Sequence, residues 1–172
     1  AITDECSLAG VVRAHRCIRE HVLPVRLIIG SEIRLEDGPA LVLLACTRKG
    51  YGQLSRLITR GRRAADKGHY RLLRSDLEHG AAWMAFMQTL DGRDATRLTQ
   101  LRLIGARTGL RLIASTGALM HDASRRPLAD VLTATRLLTT VADAGLALAA
   151  NAERRLQARE VLGRRFPPDL LA

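Results

Sequence analysis

The tightest constraint on this chain is a pair of short apolar runs joined by a turn. Val25–Gly30 is apolar except for Arg26, and Ser31–Leu35 continues it with alternation. Glu36-Asp37-Gly38-Pro39 supplies turn chemistry, and Leu41–Cys46 follows as a second run of strand length. The second run reads as buried on both faces if the sheet is parallel there. Helical spacing surrounds the pair. Val11, Val12, His15 and Ile18 share one face behind Asp4 or Ser7 as a cap, and Tyr51–Arg63 buries Leu54, Leu57 and Ile58.

The alternation continues towards the carboxyl end. Trp83–Leu90 reads as a strand, and Asp94 caps a helix that buries Leu98, Leu101 and Ile104. Gly109 ends that helix, and Leu110–Ser115 returns as a strand. Pro127 opens a helix whose apolar stripe is Leu128, Val131, Leu132 and Leu138. Beyond Gly145 the chain turns polar and Arg-rich until Pro167-Pro168. The class is α/β, with either a partial (βα) barrel or an open sheet.

Composition narrows the rest. At 172 residues and 47% apolar content, the chain has enough material for one packed domain. No run of eighteen apolar residues suggests a membrane span, and the acidic start carries no signal-peptide pattern. The chain lacks an initiator methionine and opens on what reads as the end of a buried strand, so it reads as a fragment. Cys6, Cys17 and Cys46 form no C-x-x-C pair, which points to free thiols and a reducing, cytoplasmic setting. The formal charge of +10 rests on 25 arginines and only Lys49 and Lys67, a skew that base composition alone can produce. Charge therefore argues for a nucleic-acid partner only weakly.

Four segments resemble one family. Ala1-Ile2-Thr3-Asp4-Glu5-Cys6-Ser7-Leu8-Ala9-Gly10 and Ile28-Ile29-Gly30-Ser31-Glu32 look like successive motifs of the PHP domain in error-prone C-family DNA polymerases. Leu43-Leu44-Ala45 through Gly50-Tyr51 and on to Arg63 is similar to the strand and helix that follow. Arg125-Arg126-Pro127-Leu128-Ala129-Asp130-Val131-Leu132-Thr133-Ala134 and Asn151-Ala152-Glu153-Arg154 resemble the junction with the polymerase body. The resemblance implies a partial, distorted (βα) barrel of PHP type over residues 1–142. A helical carboxyl end, residues 143–172, would begin the linker.

It also implies chemistry. PHP carboxylates and histidines at strand ends hold Mn or Zn, which activates a water for phosphoester hydrolysis. Glu5, Glu32, His69 and His121 are the residues here that match or could approach that centre, as vestiges of it. The first His-x-His motif would precede Ala1. Where the family has Gly-Asp-Val-His-x-His, this chain has Thr116-Gly117-Ala118-Leu119-Met120-His121, keeping one histidine. Phe86-Met87-Gln88-Thr89-Leu90 departs from a Val-Glu-Leu-His-Leu pattern, and a few tens of residues are missing between Glu78 and Trp83.

Each candidate has a plainer alternative. Asp4 and Glu5 could serve a helix amino terminus, a nearby arginine could satisfy Glu32, and His69 could be a solvated loop residue. His15, His21 and His79 have no ligand spacing. Arg56, Arg60, Arg62, Arg63 and Lys67 could track a DNA backbone or form a solvated helix face. The expected role is a non-catalytic, PHP-like part of a polymerase active in translesion synthesis and damage-induced mutagenesis. Its partners would be DNA and the rest of that chain, with no membrane, and the polymerase Mg would sit elsewhere. The competing classes are a stand-alone PHP-type phosphoesterase and a DNA-binding module.

Overall fold

The computed structural model describes residues 1–77, 82–87 and 90–171. Two hairpin-related strands organise the amino-terminal part: β1 (Ile29–Arg34) pairs antiparallel with β2 (Ala40–Ala45), Ser31 opposite Leu43 and Ile33 opposite Leu41. The pairing is antiparallel, so the parallel condition does not hold, yet Leu41–Leu44 are all buried. Only 35–39 separates the strands, whereas a parallel return needs a crossover of about a dozen residues. Val25 to Ile28 also stay outside β1, with Val25 and Ile28 exposed. β2 pairs antiparallel with β3 (Ala82–Met87), and β4 (Arg111–Ser115) completes a sheet ordered β1-β2-β3-β4. The fold is mixed α/β with an open four-stranded sheet.

The helices follow the sequence closely in place and less closely in orientation. α1 (Ala9–Glu20) is capped by both residues expected to do so: Ser7 Oγ accepts from the Ala9 N–H at 3.1 Å, and Asp4 Oδ2 from the Gly10 N–H at 2.9 Å. Its buried residue is Val11, while Val12 and His15 face solvent. α2 (Arg48–Arg63) begins at Thr47, whose hydroxyl accepts from the Gly50 N–H, and packs Leu54 and Leu57 towards β1 and β2. α3 (Asp94–Thr108) buries Leu101 and Ile104 and stops at Gly109, which takes φ +70° and donates to the Gly105 carbonyl.

Pro127 sits in the first turn of α4 (Arg126–Arg136), as its fixed φ favours. The stripe expected to be buried there is not. Leu128, Val131, Leu132 and Leu138 are 53%, 49%, 62% and 94% exposed, and Ala134 is the buried residue of the helix. Short helices α5 (Val141–Ala144) and α6 (Arg159–Arg165) follow.

The chain divides into two compact units. One comprises Ala1–Phe86 with Thr99–Ile113, and its core includes Cys6, Ile33, Leu41, Leu43, Leu72, Met84, Phe86 and Leu101. The other comprises Met87–Leu98 with Ala114–Ala172 and buries Met120, Ala134, Ala144, Phe166 and Leu170. His79, the Gln88-Thr89 pair and the gap expected after Glu78 lie outside the described residues.

Candidate functional site

The first six residues form the site's floor. Ile2 bridges Ile29 and Glu5 bridges Glu32 in parallel register, through N–H to carbonyl bonds of Ile2 to Ile28, Gly30 to Ile2, Glu32 to Asp4 and Cys6 to Glu32 at 2.8–3.2 Å. This segment covers the outer edge of β1, which would otherwise present unpaired amides. Gly30 permits the close fit: a Cβ there would lie 2.5 Å from the Leu43 carbonyl oxygen and 3.1 Å from Thr3. Ser31, fully buried, pins the layer by donating to the Asp4 carbonyl at 2.7 Å and accepting from the Ser7 N–H.

Register places Glu5 and Glu32 side by side on one face, and period-two alternation puts Arg34 on that face too. Arg34 Nε lies 3.1 Å from Glu5 Oε1, and its Nη2 lies 3.1 Å from Glu32 Oε1. One edge of a single guanidinium thus bridges both carboxylates. Tyr70 closes the cluster: its hydroxyl donates to Glu5 Oε1 at 3.0 Å and accepts from the Arg34 N–H at 3.0 Å. Burial pushes the Tyr70 phenol up to about 12; the Arg34 N–H opposes that rise and Glu5 adds to it.

Arg62 supports the cluster from α2. Its Nε donates to the Cys6 carbonyl at 3.1 Å, its Nη2 to that of Glu5, and its Nη1 to those of Gly68 and His69. The guanidinium also stacks on the Tyr70 ring, 5.4 Å from the centroid. Cys6 is buried with φ +42°, and burial raises its thiol pKa against the lowering effect of Arg62. A buried, protonated thiol is not an activated nucleophile.

The expected site residues divide accordingly. Glu5 and Glu32 come together; Asp4 caps α1. The His69 side chain is exposed and makes no hydrogen bond among the described residues, while its carbonyl serves Arg62. His121 belongs to the other unit and is exposed. Among the described residues no three His, Cys, Asp or Glu side chains group as metal ligands. Two carboxylates bridged by a guanidinium do not fit the multi-donor Mn or Zn centre that the PHP resemblance implies. Arg34, Tyr70 and Ser31 were not singled out from sequence. Only Arg34 had a signal, its two-residue spacing from Glu32.

The basic helix face is partly committed. Besides Arg62, Arg60 bonds the Asp76 carbonyl at 3.2 Å and lies 3.6 Å from its carboxylate. Arg56 also has an interaction partner. Arg63 and Lys67 are exposed and carry no acidic partner among the described residues. In the second unit Gly117 takes φ +52°, and a Cβ there would collide with Met87 Sδ. Arg154 Nε donates to the Gly117 carbonyl at 3.0 Å, fixing that turn.

No family model matches the chain. Curated relatives do. A protein named error-prone DNA polymerase from Aromatoleum aromaticum is 49% identical over 206 residues, covering all of this chain and 19% of the relative. Proteins of the same name from Methylococcus capsulatus and Pseudomonas aeruginosa are each 47% identical, over 99% and 100% of the chain and 19% of each relative. The chain therefore spans about a fifth of the length of the relatives it matches. Identity at this level along the whole chain leaves one conclusion: the chain belongs to the error-prone DNA polymerase family, as the counterpart of one segment of such a protein.

Proposed function

We propose that this chain is the PHP-like portion of an error-prone DNA polymerase and supports the polymerase body without catalysing a reaction itself. The observation that carries this reading is 49% identity across the whole chain to a protein of that name. Residues 1–142 are the PHP-like part, a partial (βα) barrel by descent, and 143–172 begin the linker. DNA, Mg and lesion bypass are requirements of the whole polymerase in a cytoplasmic setting. Mn or Zn is the lost cofactor of the ancestral centre. Among the described residues no helix is long and apolar enough to cross a membrane.

The direct test replaces the matching fifth of the Aromatoleum aromaticum protein with this chain and measures primer extension. Extension well above that of a deletion lacking the segment is expected, and activity no better than the deletion counts against a supporting role. The isolated chain, assayed with Mn or Zn on DNA 3′ ends and phosphomonoesters, should show no turnover. Turnover lost in E5Q would instead establish a stand-alone phosphoesterase. DNA affinity falling steeply with salt would favour the third class, a binding module working through Arg63 and Lys67.

A further inference from the structure

The disagreement between the metal centre implied by descent and the geometry of the Glu5–Glu32 pair has a physical resolution. Two carboxylates in register on adjacent strands repel, so a compact fold at this point needs a cation between them. A divalent metal needs several more oxygen or nitrogen donors, and no such group exists among the described residues. A guanidinium needs none. Its planar edge offers two N–H donors at the spacing of two acceptors, and its charge persists at any pH the fold meets.

We infer that Arg34 is the resident counter-cation of this site: a protein guanidinium stands where a metal would otherwise be required, and the segment 1–6 is held on the sheet without metal. The surrounding contacts fit that role. Tyr70 grips both the Glu5 carboxylate and the Arg34 backbone, so the acid and the strand that supplies the cation are tied by one hydroxyl. Arg62 donates to the Glu5 and Cys6 carbonyls and stacks on the Tyr70 ring, which brings a second positive charge beside the cluster. A divalent ion could enter only by displacing Arg34 against that charge. The inference rests on side-chain geometry and stands apart from the polymerase assignment, so either can fail alone.

The test is a charge-neutralisation double-mutant cycle read by thermal unfolding of the 172-residue chain, with and without millimolar Mn²⁺. R34Q is expected to lower Tm by about 2–4 °C, a modest change because all three side chains are part-exposed. The signature is a change of sign. E5Q lowers Tm when Arg34 is present and raises it in the R34Q background, where it relieves repulsion between two carboxylates that have lost the guanidinium bridging them. A structural role for Glu5 without charge coupling gives the same sign in both backgrounds and overturns the inference. So does an R34Q variant with unchanged Tm.

The unaltered chain decides independently, even if R34Q does not fold. Its Tm should be indifferent to Mn²⁺ and to a chelator, and Mn²⁺ electron paramagnetic resonance should show no bound ion. A metal held at a hundredfold excess over its Kd would raise Tm by roughly 5–10 °C. Such a rise, abolished by E5Q, would show a functioning metal site and remove Arg34 from the role.

Discussion

The two units of this chain are held together by different forces. The first buries an apolar core on its sheet, with Ile33, Leu72 and Met84 wholly inaccessible. The second buries five apolar residues among those described and exposes Leu128, Val131, Leu132, Leu138 and Leu146. What orders the second unit is polar. Glu153 Oε2 accepts from Arg165 at 2.9 Å and from Gln157 at 3.2 Å, Arg126 donates to the Ala149 carbonyl, and Arg154 donates to that of Gly117. Burying one large aliphatic side chain is worth about 1.5–3 kcal/mol, whereas a net hydrogen bond contributes about 0.5–1.5 kcal/mol. The contrast teaches that similar apolar content, read along the sequence, supports very different local stability depending on what covers it.

Mutations can sharpen or break this contrast. The largest expected effect is I33A, which should cost about 2–5 kcal/mol in urea unfolding, while L138A on the exposed stripe should stay within about 0.5 kcal/mol. Comparable losses at both positions would mean that the second unit has a core after all. Next comes G117D, which places a side chain where φ is +52° and Met87 fills the space. It should destabilise by about 2 kcal/mol or more, seen as loss of protection around Gly117 and Arg154, and tolerance would show that Met87 yields easily.

Smaller effects follow from the polar clusters. Y70F removes a hydroxyl that both donates and accepts, and should cost about 1–2 kcal/mol. Because the folded Tyr70 pKa is raised, its contribution is complete below the ordinary tyrosine range and is lost as pH rises towards about 12. Absorbance near 295 nm should therefore show a phenol ionising late, and Y70F should abolish that late step. The smallest effect is at Glu153, whose pKa is lowered chiefly by its hydrogen bond from Arg165. A lowered folded pKa gives stability present above the ordinary carboxylate range and lost as pH falls through the folded value. E153Q should lose part of that acid dependence, measured as a flatter decline of Tm at low pH.

Much of the fold was legible in the sequence because local signals govern element placement. Asp4 and Ser7 serve the start of α1, Pro127 lies in the first turn of α4, and Gly109 ends α3, each for a backbone reason that needs no distant partner. Strand direction was also available, in the short connection between Arg34 and Ala40, though the apolar run drew attention to burial instead. Two things were out of reach. Periodicity marks Leu128, Val131 and Leu132 as one face but says nothing of whether that face is covered. Tyr70 lies 65 residues from Glu5, and only the folded chain brings its hydroxyl to the carboxylate. At the site, Glu5 and Glu32 were readable as a pair. Their partner was readable only through the Glu32-x-Arg34 spacing on one strand face.

The unit built on Ala1–Phe86 and Thr99–Ile113 carries an extensive apolar core, while the other buries five apolar residues among those described. Native-state hydrogen exchange followed by mass spectrometry would resolve the difference in stability between them. Amides of Leu41–Leu44, together with those of Cys6 and Glu32 that pin the first segment, are expected to exchange slowest, and α4 amides orders of magnitude faster. Equal protection of α4 and β2, or faster exchange at Cys6 and Glu32 than in α4, would contradict that expectation.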